Sequence, residues 1–259
     1  MTSTRTLRGV WLGRRPYADV VVLQERLFAE RLTGRGEDTV LLLEHAPVVT
    51  QGRGAKAEHL LASRELLASR GIELHASNRG GDVTLHAPGQ LVAYPILDLN
   101  PDRRDVRRYV RALSETMRRL VAELGVAAGA HPEHVGLWAD RQRPAHFTTS
   151  DDAAEPVKIG AIGVRISRWV TMHGFALNLV NDLSLYELIV PCGIRELGVA
   201  SVASLGGRAV TPAELAPRAL ETLADVFEAG ATELHDASAR SDVTKLDGAD
   251  ALSAGALGA

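Results

Sequence analysis

In residues 78–98, N-R-G-G-D-V-T-L-H-A-P-G-Q-L-V-A-Y-P-I-L-D, two glycines follow an arginine, a short alternation comes next, and a Pro-Gly turn leads into an apolar run. Glycine lets a backbone take positive φ or come close to another group, which a side chain would prevent. The run between the two glycine signals is too short for a helix. Val83 and Leu85 alternate with Thr84 and His86, the pattern of a strand with one buried and one polar face. The stretch therefore reads as strand, turn, strand, with a lined cavity on the polar side and Arg79 and His86 at its edge.

Outward from this unit, strands are expected at 6–12, 39–44, 72–76, 91–99, 135–139, 157–166 and 169–179. The run T-V-L-L-L-E (39–44) is continuously apolar and suits a central strand. Ser167-Arg168 is short enough for a hairpin turn. Helices are expected from Pro16 to the glycines at 34 and 36, over 58–69, over 105–124, and from Thr211 to about 234. Thr211, Pro212 and Glu214 supply N-cap, N1 and N3 for the last of these. The 105–124 helix has Val106, Val110, Leu113, Met117, Leu120 and Leu124 on one stripe and Arg104, Arg107, Arg108, Arg111, Arg118 and Arg119 on the other face. The polar segment 140–156 reads as an exposed, mobile loop. Residues 235–259, poor in large apolar groups, read as a disordered tail. Strands arriving partly in hairpins and partly between helices give an α+β (α/β-like) mixed sheet with packed helices, one domain over 1–234.

The bulk properties narrow the class. The net charge of −3 over 259 residues gives no reason to expect nucleic acid as a partner. No apolar run reaches about 18 residues, so no membrane span is expected. The N-terminus M-T-S-T-R-T-L-R-G-V-W has no apolar signal region, and the one cysteine, Cys192, has no internal partner. Both features fit a reducing cytoplasm. The histidines show no metal-ligand spacing, and no phosphate-binding glycine motif is present. Neither a metal nor a cofactor is expected.

Cys192 is the foremost chemical candidate. Free cysteines are usually buried and inert, but Pro191 and Gly193 place this one in a turn, where packing explains it poorly. With a free pKa of about 8.5, a thiol needs a nearby base or cation to become a nucleophile at neutral pH. Lys158, at the start of K-I-G-A-I-G, and His86 and His173 are the options. Each has a plainer reading: a solvated lysine, or a hydrogen-bonded structural histidine. The arginine face of the 105–124 helix is ordinarily a solvated surface.

Three stretches, R-G-G-D-V-T-L-H-A-P-G-Q-L-V-A-Y-P (79–95), V-K-I-G-A-I-G-V-R-I-S-R-W-V-T-M-H-G-F-A-L-N (157–178) and P-C-G-I (191–194), with L-E-H-A-P-V-V-T (43–50) in support, converge on one family. From about residue 5 to 228 the chain resembles the lipoyl(octanoyl) transferases. The resemblance implies the biotin/lipoate protein ligase-type catalytic-domain fold. It places Cys192 at the acyl-thioester nucleophile and Lys158 at the lysine that favours its thiolate. It also places Arg79, Gly80, Gly81, Asp82, Val83, Thr84, Leu85 and His86 on a first substrate-binding segment, Ala161, Ile162 and Gly163 on a second, and Gly174, Phe175 and Ala176 on a third. Leu85 and Ala87 stand where the family usually has an aromatic residue and a glycine, so acyl-chain preference would differ there.

The activity so implied moves an octanoyl group from acyl carrier protein, through the cysteine, to a lysine of lipoyl domains in 2-oxoacid dehydrogenases and in the glycine cleavage H protein. Small residues at Gly160, Ala161, Gly163, Gly174 and Ala176 would leave room for the chain, and backbone N–H groups near the Pro-Cys-Gly turn could hold the oxyanion. Three alternatives stand beside it. One is an ATP-dependent lipoate or biotin ligase on the same fold, which needs no cysteine. Another is a non-catalytic acyl-carrier docking module, in which Cys192 is packing. The last is a cysteine hydrolase pairing Cys192 with His86 or His173.

Overall fold

The computed structural model describes residues 5–193, 197–241, 243 and 246, and the side chains of all of these but Ser150 and Cys192. In chain order the elements are β1 (Thr6–Arg15), α1 (Tyr17–Leu32), β2 (Thr39–His45), β3 (Val48–Gln51), α2 (Arg64–Ser69), β4 (Glu73–Ala76), β5 (Val83–His86) and β6 (Gln90–Ile96). Next come α3 (Val106–Glu123), β7 (Leu137–Asp140), β8 (Pro156–Ser167), β9 (Val170–Asn178), β10 (Gly198–Val199), α4 (Pro212–Val226), β11 (Gly230–Ala231) and β12 (His235–Asp236). The main sheet runs β10-β8-β9-β6-β2-β1-β11, with β7 beside β8 and β12 beside β1. It is mixed: β1 and β2 are parallel, while the β2–β6, β6–β9 and β8–β9 pairs are antiparallel. A second, small sheet runs β4-β3-β5.

The apolar run of β2 is central because both faces of the main sheet are covered. Val40 and Leu42 join the core under α3 and α4, and Leu41 and Leu43 join the core under α1. β6 splits the same way, with Leu91 and Ala93 on one side and Val92, Tyr94 and Ile96 on the other. In the small sheet Val49, Val83 and Leu85 pack with Leu67 into a third cluster. The buried stripe of α3 is Tyr109, Leu113, Thr116, Met117, Leu120 and Val121, while Val106 is exposed. Tyr109, ignored by an aliphatic count, anchors that stripe against Phe227 with ring centroids 5.8 Å apart. The six arginines on the opposite face are exposed as expected.

Several local expectations are corrected. Of the helix expected over 58–69 only Arg64–Ser69 is α-helical, with the Ser63 side chain accepting from Leu66 N at 3.2 Å. Residues before it spend their backbone groups elsewhere: Leu61 N and Ala62 N both donate to Leu188 O, and His59 O accepts from Val190 N. The β8–β9 hairpin turns one residue later than expected, at Arg168 and Trp169, both at positive φ (50° and 68°) as a tight hairpin turn demands. α4 has the expected capping box but ends at Val226, where Phe227 caps and Glu228 turns at φ 49°.

Nor is the segment from 235 onward wholly a disordered tail. β12 pairs in parallel with Val10 and Trp11 of β1, Ala237 is buried, and Arg15 Nη2 donates to the carbonyls of Ala237, Ser238 and Arg240. Val243 and Leu246 are buried in the core under α1. An open strand edge and one guanidinium order this part without many apolar residues. Positions 242, 244, 245 and 247–259, the rest of the expected tail, lie outside the described residues.

The segment 140–156 is likewise tied down rather than loose. The Asp140 carboxylate, fully buried, accepts from Arg143 Nε at 2.8 Å, Ala154 N at 2.9 Å, Gln142 N at 3.0 Å and Glu155 N at 3.2 Å. Burial would raise this carboxyl, but those hydrogen bonds together bring it down to about 2. A carboxyl whose folded pKa lies below its unfolded value, about 3.9, stabilises above that value and loses the contribution as pH falls toward 2. Acid should therefore open this loop early. Limited proteolysis by pepsin at pH 2 should cut within 141–155 in preference to the sheet, and Asp140→Ala should make the same loop cleavable at neutral pH by trypsin. Equal protection in variant and wild type would refute this.

Candidate active site

The β8–β9 hairpin supplies the floor of a cleft. Ala161 pairs with Ala176, Ile162 with Phe175 and Gly163 with Gly174, so the second and third segments singled out by resemblance lie side by side. The opposite wall comes from Arg79, Gly81, Asp82, Thr84 and His86, and Tyr17, Tyr94 and His173 close one end. Gly80 N donates to Val164 O at 2.8 Å, which sutures the glycine loop to β8. The period-two reading of β5 holds: Thr84 and His86 face the cleft. Val83 and Leu85 face the third core cluster, and so does Ala87. Leu85 and Ala87 therefore stand behind the wall and not in it.

The small residues do different jobs. A Cβ on Gly160 would lie 2.6 Å from Met117 Sδ, and one on Gly174 2.1 Å from Ala93 O. Both glycines make room for protein, α3 and β6 respectively. A Cβ on Gly163 would lie 3.0 Å from Arg79 Cδ. The cleft is thus kept open by Ala161 and Ala176.

Arg79 is a buried wall post: Nη2 donates to Thr50 O at 2.8 Å and to Thr50 Oγ1 at 2.9 Å. His173 sits at φ 60°, uncommon for any residue but glycine. It is held there by its N–H to Gln24 Oε1 (3.0 Å) and by Nε2–H to Asn78 Oδ1 (2.7 Å). Burial, and then the neighbouring His45, lowers His86 to about 3. Burial, and then the Arg79 charge, lowers His173 to about 3, and burial lowers His45 to about 4. All three imidazoles are neutral at pH 7 and weakly basic, so neither His86 nor His173 suits the work of deprotonating a thiol. Burial also raises the Tyr17 and Tyr94 hydroxyls, which stay protonated.

At its other end the cleft meets a small cavity lined by Thr84, Lys158, Gly160, Ala161, Asn178, Tyr186, Pro191 and Val199. Thr84 and Ala161 border both, so the cleft and the Lys158 cavity adjoin. Lys158 is buried on β8. Its Nζ donates to Val135 O at 2.8 Å and lies 5.4 Å from the centre of the Trp138 ring. Gly136 makes that approach feasible: it sits at φ 140°, and a Cβ there would lie 2.5 Å from Lys158 Cε. Asn178 is locked by Gln90 Nε2 (2.9 Å) onto its Oδ1 and by its own Nδ2 to Ala200 O (3.0 Å).

Pro191–Gly193 forms a one-turn 3-10 helix that borders this cavity through Pro191. The side chain of Cys192 and the whole of Ile194 lie outside the described residues. The geometry therefore brings Lys158 to the turn carrying Cys192, from segments far apart in sequence. Tyr17, Tyr94, Asn178, Tyr186 and Gly136 were not singled out in the sequence. For Tyr94 a signal existed, since it alternates with Ala93 along β6 and so shares the face of Val92. Among the described residues no group of three His, Cys, Asp or Glu side chains could hold a metal, and no helix is long and apolar enough to cross a membrane.

The fold, a mixed sheet with α1 on one face and α3 and α4 on the other, is similar to that of solved lipoate ligases. A lipoate-protein ligase A bound with ATP overlays with a TM-score of 0.65 at 16% identity, over 87% of this chain and 88% of that one. A lipoate protein ligase from Thermoplasma acidophilum gives 0.66 at 14%, over 90% and 87%. The family described as the lipoyl protein ligase A/B catalytic domain matches residues 16–224, and the chain belongs to it.

Relatives include an octanoyltransferase of Myxococcus xanthus, 45% identical over 84% of this chain and 58% of that protein. Octanoyltransferases of Solibacter usitatus (47%; 76% of this chain, 83% of that one) and Chloroflexus aggregans (43%; 86% and 96%) are matched over more of their length.

Proposed function

We propose that this chain is an octanoyltransferase of protein lipoylation, carrying the acyl group on Cys192. The observation that carries the reading is that the cleft between the two sheets adjoins, at Thr84 and Ala161, the cavity lined by Lys158 and by Pro191 of the Pro191–Gly193 turn. Relatives at 43–47% identity bear the name octanoyltransferase. An alkyl chain fits the uncharged floor of Ala161, Ile162, Phe175 and Ala176, where each buried methylene contributes about 0.8 kcal/mol.

The reaction balances without ATP. The Cys192 thiolate attacks the carbonyl carbon of an octanoyl thioester on acyl carrier protein, and the carrier's thiolate leaves. The amine of a lipoyl-domain lysine then attacks the new thioester, the Cys192 thiolate leaves, and an amide remains. Lys158 takes the thiol proton, returns it to the departing carrier thiolate, and takes a proton from the attacking amine. Gly193 N already donates to Val190 O at 3.1 Å, which removes it as an oxyanion donor. In this reading Thr84, which borders both cavities, donates to the acyl carbonyl instead. Acyl carrier protein, the lipoyl domains of 2-oxoacid dehydrogenases and the glycine cleavage H protein are the partners of this reading. Cytoplasm, the home of a free cysteine, is its place. The exposed arginines of α3 offer an acidic carrier a complementary face.

Incubation with octanoyl-acyl carrier protein should add one octanoyl mass to the wild type and none to Cys192→Ala. A labelled alanine variant would refute the cysteine. The second reading, an ATP-dependent ligase, is favoured by the fold shared with an ATP-bound ligase. Transfer to a lipoyl domain that stops when ATP is withheld would establish it in place of the first.

A further inference from the structure

The turn that carries Cys192 rests on a pair of residues, one from the cleft wall and one outside both cavities. Asp82 closes the glycine loop ahead of β5. Its Oδ1 accepts from Val83 N at 2.7 Å and Lys56 N at 3.3 Å, and its Oδ2 accepts from His59 Nδ1–H at 2.5 Å. With three donors the carboxylate is fixed, and the single tight bond to Nδ1 fixes the plane of the buried imidazole. The ring then meets the turn. Gly193 lies at φ 72°, and a Cβ there would stand 2.7 Å from His59 Cε1 and 2.9 Å from Asp82 Oδ2. The His59 backbone also grips the segment, its carbonyl accepting from Val190 N at 2.7 Å. His59 lines neither the cleft nor the Lys158 cavity.

We infer that the His59–Asp82 pair is a positioning device: it holds the Pro191–Gly193 turn against the glycine loop so that Cys192 is presented to Lys158 and the acyl carbonyl. The inference rests on the reading of Cys192 as the acyl carrier. It adds a role for a residue that touches no substrate and a second role for Asp82. Misplacing a reacting group by about 1 Å can cost on the order of a hundredfold in rate, so the brace acts on the chemical step more than on binding.

Three variants test it. Asparagine places its amide nitrogen near the position of Nδ1 and can still donate to Asp82, glutamine keeps the bulk but misplaces the donor, and alanine removes both. Two readouts are taken on His59→Asn, His59→Gln and His59→Ala beside wild type, with melting curves to establish folding. The first is the pH profile of iodoacetamide alkylation at the sole cysteine; the second is single-turnover octanoylation. Expected in His59→Gln and His59→Ala are acylation about tenfold or more slower with acyl-donor KM little changed, and an alkylation profile displaced to higher pH, as a thiol drawn away from a cation would show. His59→Asn should return both to near wild type. Wild-type rates in folded His59→Gln, or a folded His59→Asn as slow as His59→Gln, overturn the proposal. If wild type takes no octanoyl group but the alkylation profiles still separate in this order, the octanoyl reading falls and the brace stands.

Discussion

Lys158→Met is expected to keep the fold and lose acylation by about 10²–10⁴-fold, the span that a positioned general base contributes. The methionine stem fills the same groove beside Trp138, and Val135 O, which accepts from Lys158 Nζ, belongs to an exposed residue that water can satisfy. Stability should therefore move little. Reactivity should move a great deal, because His86 and His173, the other nitrogen bases near the cleft, are held at about 3 by burial and neighbouring charge. Rapid-quench measurement of octanoyl transfer onto the enzyme reads the effect directly. A methionine variant that acylates at the wild-type rate would remove Lys158 from the mechanism.

Gly136→Ala should damage both fold and chemistry. Its φ of 140° is a backbone region that side-chain-bearing residues rarely adopt, and the new methyl would lie 2.5 Å from Lys158 Cε and 2.6 Å from Gly160 O. The second clash is with backbone, which cannot swing aside as a flexible side chain can. Overpacking costs about 1–3 kcal/mol and strained dihedrals about as much again, which lowers Tm by roughly 5–15 °C in a domain of this size. Relief by moving Lys158 would slow acylation at once. Gly34→Ala serves as the control, since Gly34 also has positive φ but nothing within 4 Å of its Cβ position. Calorimetry of the two variants decides the matter, and a Gly136→Ala protein that melts no lower than Gly34→Ala defeats the prediction.

How much of the fold and site is legible in the sequence depends on the range of the forces involved. Local rules worked: the alternation of Val83 and Leu85 with Thr84 and His86, the capping box at Thr211 and Glu214, and the β8–β9 hairpin all depend on neighbours in sequence. Distant pairings were hidden. Nothing local announces that Gly174 exists for Ala93 O, that Tyr17 from α1 reaches the end of the cleft, or that Asp140 gathers a loop fifteen residues long. The helix expected over 58–69 failed for the same reason, because its backbone groups had a better partner at Leu188 and Val190. Leu85 and Ala87 are instructive: they sit in the binding segment by sequence, yet alternation alone turns them toward the third core.

The returning chain after α4 also has a protective consequence. Beyond β1 the main sheet would end in a row of unpaired N–H and C=O groups on a ten-residue strand whose middle is apolar, the kind of template on which other chains polymerise. Gly230, Ala231, His235 and Asp236 occupy that row, and the Arg15 guanidinium fastens the carbonyls of Ser238 and Arg240 just beyond it. A chain trimmed at residue 234, where composition alone would place the end of the domain, would keep its catalytic parts and bare half of a sticky border, trading a tidy boundary for self-association.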